Sequence, residues 1–157
     1  MINIRPAKPT DLNYVVSSWI RSVRGQYPYK LFCKPAMTKY SDRVQRMVYG
    51  SSQVTIACDE KDEDVVLGWI AHDPGVLHFA WVKYPFRRNG FGKQLFTSVF
   101  ADCECLYYTC HTSSITHARL DKKWNLGGYD PFLVDDLLFP ETFKRDAEIV
   151  NEKLTNR

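Results

Sequence analysis

The segment Val82-Lys83-Tyr84-Pro85-Phe86-Arg87-Arg88-Asn89-Gly90-Phe91-Gly92-Lys93 sets cations and glycines where an apolar strand runs into an amphipathic helix. Glycines let backbone N–H groups converge on one oxygen cluster without Cβ obstruction. A helix N-terminus adds about half a positive charge, and Arg87, Arg88 and Lys93 add full ones. Together they suit a pyrophosphate. The spacing is neither GxxxxGK(S/T) nor GxGxxG. The same local pattern also fits a tight strand–helix turn with solvated arginines.

Other reactive side chains are scattered. His78 sits in the apolar run Val76–Val82; with a reference pKa of about 6.5 it suits a general base, or a satisfied structural histidine. Tyr107 and Tyr108 alternate across a short strand, so one faces the core and the other a cleft or solvent. Cys103, Cys105, Cys110, His111 and His117 read C-x-C-x4-C-H-x5-H, which fits no zinc finger or ribbon; structural cysteines and no metal are expected. Tyr27, Tyr29, Phe32 and Tyr40 interleave with Lys30, Lys34 and Lys39. Such a loop can stack bases and neutralise phosphate, or simply fold over the core. The acidic run Asp59–Asp64 is a solvated hairpin turn or a guide for a cationic acceptor.

Periodicity supplies the elements that position these groups. Ile2–Arg5 is a short strand stopped by Pro6. Thr10 or Asp11 caps a helix with Leu12, Val15, Val16, Trp19, Ile20 and Val23 at helical spacing, ended by Gly25. Gln26–Met37 reads as loop, and a second helix runs from Ser41 through Val48 to Gly50. From Gln53 the period becomes two, and strands near Val54–Cys58, Val65–His72 and Val76–Val82 form an antiparallel meander. A helix with Phe91, Leu95, Phe96, Val99 and Phe100 follows. Leu106–Thr109 is a strand, Ser113 or Ser114 caps a helix to about Asn125 that Gly127-Gly128 breaks, Phe132–Phe139 is a strand, and Phe143–Leu154 is a last helix. The order predicts one α+β domain over residues 1–157.

Composition narrows the class. The 157 residues are 45% hydrophobic, 14% aromatic and 25% charged, which excludes global disorder. No apolar run approaches the ~18 residues of a membrane span, and the start Met1-Ile2-Asn3-Ile4-Arg5-Pro6 lacks a signal-peptide pattern. An odd five cysteines without CxxC suggest a reducing cytoplasm. A net charge of +3 is by itself no argument for nucleic acid.

Arg87, Gly90 and Gly92 match Arg/Gln-x-x-Gly-x-Gly/Ala, and around them the chain resembles the GNAT (GCN5-related N-acetyltransferase) superfamily. Ile4-Arg5-Pro6-Ala7 with Thr10-Asp11-Leu12 is similar to the family's opening strand and helix, Gly68-Trp69-Ile70 to its "vGwi" strand, and Lys123–Tyr129 to its "FYxKxGF" element. The four elements fall in order over about residues 2–130. The Ser18–Ser22 stretch also resembles GNAT-like proteins encoded by bacteriophages.

The resemblance implies a mixed, mostly antiparallel twisted sheet with a central splay, flanked by helices in three layers. It implies acetyl-CoA as cosubstrate, with Arg87, Arg88, Asn89, Gly90, Phe91, Gly92 and Lys93 on the pyrophosphate and the Trp81-Val82 backbone on the pantetheine. His117 falls near a family asparagine that touches the same arm. The acetyl group passes directly to an amine, on a small molecule or a protein, in a monomer or homodimer. Relatives often carry a Glu base near the position of His78. Their Tyr general acid aligns with Trp124, which has an indole N–H but no acidic hydroxyl, leaving Tyr107, Tyr108 or Tyr84 as donor. A GNAT-fold module that binds CoA or another anion without catalysis, and a nucleic-acid-directed acyltransferase, are the alternatives.

Overall fold

The structure is a computed structural model that describes residues 1–111 and 124–135. His117, most of the helix expected from Ser113 or Ser114, and the helix expected over Phe143–Leu154 lie outside the described residues.

Six strands form one open sheet in sequence order: β1 (Ile2–Pro6), β2 (Gln53–Asp59), β3 (Val66–Asp73), β4 (Val76–Val82), β5 (Leu106–Tyr108) and β6 (Leu126–Tyr129). β1 to β4 are antiparallel neighbours, whereas β4–β5 and β5–β6 are parallel. The expected meander is therefore present, extended on one side by β1. β3 is central and buried along nearly its whole length, as a strand covered on both faces must be.

Helix α1 (Leu12–Arg24) and helix α2 (Lys34–Arg46) cover one face. Trp19 of α1 stacks on Phe79 at 5.2 Å and meets Trp69 at 5.5 Å. Its Nε1 donates to Tyr40 Oη of α2 at 3.0 Å. Helix α3 (Phe91–Phe100) covers the other face, with Phe100 against His72 at 5.9 Å and Leu95 beneath Gly68. This is the expected α+β sandwich of helices about a mixed sheet.

Two sequence expectations are corrected. α2 begins at Lys34, not Ser41, because Pro35 occupies the first turn, where its missing N–H costs nothing; a π-helical turn over Met47–Ser51 follows it. Gly127-Gly128, expected to break the helix that runs to about Asn125, lies within β6. The strand expected at Phe132–Phe139 does not start there: residues 131–134 are turns, with Phe132 N–H donating to Asp130 Oδ1 at 2.9 Å.

Candidate active site

Two irregularities in β4 shape the site. Ala71 pairs with Phe79 but His72 pairs with Leu77, so His78 is the extra residue of a β-bulge. Bulges bend and twist the strand that carries them. On the other edge, β4 meets β5 only through Val76↔Tyr107 and Leu77↔Tyr108. Thr109 N–H donates to the Leu77 carbonyl at 2.9 Å. Beyond Leu77 the strands diverge, so the Trp81-Val82 backbone pairs with β3 on one side and with no described strand on the other.

At the far end of that open edge lies the basic turn. Tyr84–Phe86 is a short 3-10 turn, Arg88 and Gly90 adopt φ of 66° and 80°, and Phe86 stacks on Phe91 at 6.2 Å to close it. Glycine supplies the left-handed geometry at position 90 without strain. Gly90 is the N-cap of α3 and no side chain caps the helix. The first intrahelical bond is Gln94 N–H to the Gly90 carbonyl at 3.0 Å, which leaves the N–H groups of Phe91, Gly92 and Lys93 without helical acceptors. Arg88, Asn89 and Lys93 are exposed.

Arg87 folds back: its Nε donates to the Val82 carbonyl at 2.8 Å and its guanidinium lies 5.6 Å from the Tyr84 ring centroid. It lines a groove of about 360 Å³ together with Trp81 and with Arg21 and Ser22 of α1. Sequence reasoning missed Arg21, whose guanidinium a helix-surface reading leaves to solvent. The turn and the Trp81-Val82 edge thus adjoin one groove through Arg87 and Trp81.

His78 lies deeper, its side chain fully buried on the α1–α2 side. Nε2 is 2.7 Å from Asp73 Oδ2 and Nδ1 is 2.8 Å from Thr109 Oγ1. Burial holds its pKa below the ordinary value, the Asp73 carboxylate pulling it back up in part. Asp73 also accepts Ser52 Oγ at 2.9 Å. Arg43 of α2, paired with Asp135 and the Pro131 carbonyl, adds a positive charge near the imidazole. Asp73 was legible as a neighbour across the Pro74-Gly75 turn; Thr109 and Arg43 come from distant segments and left no local signal.

The tyrosines divide as alternation requires. Tyr108 is buried and stacks on Tyr129 at 5.8 Å, while Tyr107 is 45% exposed. Both stand where β4 and β5 are still paired. Trp124 packs against Phe96 and Phe100, each at 6.3 Å, on the α3 side of the sheet. The loop aromatics Tyr29, Phe32 and Tyr40 pack on one another, and Tyr27 rests on His111 at 5.6 Å. Among the described residues no three His, Cys, Asp or Glu side chains converge as metal ligands would.

No protein-family model and no curated protein matches the chain. Solved structures do. The apo form of YjaB from Escherichia coli is 18% identical, covering 78% of this chain and 80% of its own, with a TM-score of 0.59. A GNAT-family acetyltransferase from Staphylococcus aureus is 14% identical over 78% of this chain and 81% of its own, with a TM-score of 0.52. A protein described as histone acetyltransferase HPA2 and related acetyltransferase, from Corynebacterium glutamicum, is 16% identical over 76% and 83%, with a TM-score of 0.52. At such identities the likeness is one of fold: the chain has the fold of GNAT acetyltransferases.

Proposed function

We propose that this protein is an acetyl-CoA-dependent N-acyltransferase that passes the acetyl group directly to an amine. The observation that carries the reading is the junction of two backbone surfaces that, among the described residues, lack strand or helix partners. The open Trp81-Val82 edge of β4 runs directly into the uncapped N-terminus of α3. A diphosphate joined to an amide-bearing arm fits both at once: oxygens on the Phe91, Gly92 and Lys93 N–H groups, amides on the strand edge. Arg87, Arg88 and Lys93 supply the countercharge around the Asn89-Gly90 turn.

His78 is the base of this reading. An imidazole kept neutral at physiological pH by burial can receive a proton, and Asp73 holds the cation that results. A hydroxyl of β5, Tyr107 or Tyr108, returns a proton to the thiolate, since Trp124 is committed to the α3 interface. The acceptor is an amine of a small molecule or a protein. The five free cysteines and the absence of a helix long and apolar enough to cross a membrane, among the described residues, accord with a cytoplasmic setting. The packing of Trp124 favours one second reading, a module that binds acetyl-CoA without transfer.

Calorimetric titration of acetyl-CoA tests the reading. Micromolar binding by the wild type, about −8 kcal/mol, abolished in an Arg87→Ala, Gly90→Asp double variant that still folds, is the expected result. Absence of binding by the folded wild type overturns it. Binding with no turnover of any amine leaves the second reading.

A further inference from the structure

The buried base has no open nitrogen. Its Nε2 faces a carboxylate, which only accepts, so the proton of a neutral imidazole resides there; Nδ1 is then an acceptor and the Thr109 hydroxyl donates to it. Ser52 Oγ fixes the carboxylate by donating to the same Oδ2. Carboxylate, imidazole and hydroxyl in line form the arrangement by which a hydroxyl is activated in acyl transfer, recognisable by geometry on any fold.

The position of the hydroxyl gives the line a direction. Thr109 is only partly buried, whereas the His78 side chain is 0% exposed. The Thr109 N–H makes the last ladder bond before β4 and β5 part. Its hydroxyl therefore stands at the apex of the opening, with the imidazole sealed beneath.

We propose that Thr109 is a further catalytic residue of this site, the hydroxyl through which the sealed His78 takes the proton of the attacking amine. The inference rests on the acetyl-transfer reading. As the amine nitrogen bonds to the thioester carbonyl carbon, its N–H bond breaks and the proton goes to Thr109 Oγ1. The original hydroxyl proton goes to His78 Nδ1. The C–S bond breaks with its electron pair on sulfur, and the thiolate takes its proton from the β5 tyrosine. The imidazolium, held by Asp73 through Nε2–H, discharges through Thr109 to water, and the tyrosinate regains a proton from water, before the next turnover.

Among the described residues, the charged and titratable groups around His78 are Asp73 on β3, which favours its protonation, Arg43 on α2, which opposes it and is itself paired with Asp135, and His72 one residue before Asp73. They set where the His78 limb falls in a pH–rate profile.

Thr109→Val, which keeps the shape without the hydroxyl, and Thr109→Ser, which keeps the hydroxyl, test the relay. Acetyl-CoA turnover is followed across the neutral pH range with lysine amide, spermidine, glucosamine and water as acceptors. Thr109→Val is expected to keep acetyl-CoA affinity and KM, lose about 100-fold in kcat and lose the His78 limb. Thr109→Ser restores both, and the ¹⁵N resonance of His78 Nδ1 shifts in the Val variant alone. Wild-type rate and pH profile in Thr109→Val overturn the relay and leave acetyl transfer standing. An acetyl group found on Thr109 by mass spectrometry overturns the relay in favour of a covalent intermediate. Acetyl-CoA bound by the wild type but never turned over, even by water, overturns relay and transfer together.

Discussion

A Cβ on Gly68 would fall 2.8 Å from the carbonyl oxygen of Trp81, with Val82 Cγ2 at 3.3 Å and Leu95 Cδ1 at 3.4 Å. The obstacle is backbone, which cannot swing aside as a side-chain tip does. Gly68 thus lets β3 and β4 close at the stretch whose other edge is proposed to hold the pantetheine. Gly68→Ala is expected to destabilise the fold by roughly 1–3 kcal/mol, the usual cost of overpacking. It should also weaken acetyl-CoA binding by displacing the Trp81-Val82 strand. Urea midpoints and calorimetric titration on one preparation check both, and a variant of wild-type stability and affinity contradicts the close approach.

The elements that were legible in the sequence carry their own period. α1 shows a helical stripe from Leu12 to Val23, β2 alternates at its start, and β3 and β4 are strand-length apolar runs bounded by turns rich in Asp, Pro and Gly. The Arg87–Lys93 turn was legible because charge, glycine and a strand–helix change coincide there. What failed depended on distant partners. Within β6, Gly127 must be glycine because a Cβ there would meet the Tyr107 ring at 2.6 Å and Cys105 Sγ at 2.8 Å, a demand that no neighbour in sequence announces. The first turns of α2 are polar, and the helix is secured by Tyr40 against Tyr29 and Trp19. His78 was visible as a histidine in an apolar strand. Its bulge and its Thr109 partner arise from register and topology, which periodicity does not encode.

The five cysteines differ enough to be counted apart. Cys33 is exposed, Cys103 and Cys105 are intermediate, and Cys58 and Cys110 are buried. Burial pushes the Cys110 thiol up to about 12, so at neutral pH its thiolate is roughly a thousandfold scarcer than that of an ordinary cysteine. A chromogenic disulfide reagent should therefore label Cys33 fast, Cys103 and Cys105 more slowly, and Cys58 and Cys110 only after unfolding. Peptide mapping of the labelled sites against time checks the order. Early labelling of Cys110 in the native protein would show that its surroundings open readily.

Thr10 or Asp11 was expected to cap α1; Asp11 is its N-cap residue, but the carboxylate is committed to Arg5 of β1 and makes no cap bond to α1. Arg5 Nη1 donates to Oδ2 at 2.6 Å and Nη2 to Oδ1 at 3.3 Å, while the Lys8 N–H donates to Oδ2 at 2.7 Å. The two side chains are 11% and 7% exposed. Burial alone would raise the carboxyl pKa, yet the Arg5 guanidinium and the Lys8 amide override it and hold it below the ordinary value. A carboxyl with a folded pKa below its unfolded value of about 3.9 stabilises the fold at all higher pH. That contribution is lost as pH falls through the folded value. Asp11→Asn leaves the buried Arg5 only the exposed Glu63 carboxylate, 3.8 Å away, and should cost roughly 3 kcal/mol at neutral pH. The gap to wild type should narrow once the pH drops below about 4, because the wild type then loses the same interaction. Urea midpoints of both proteins from neutral to acid pH measure the gap, and a gap that stays constant to the acid limit would show that the ion pair contributes nothing to it.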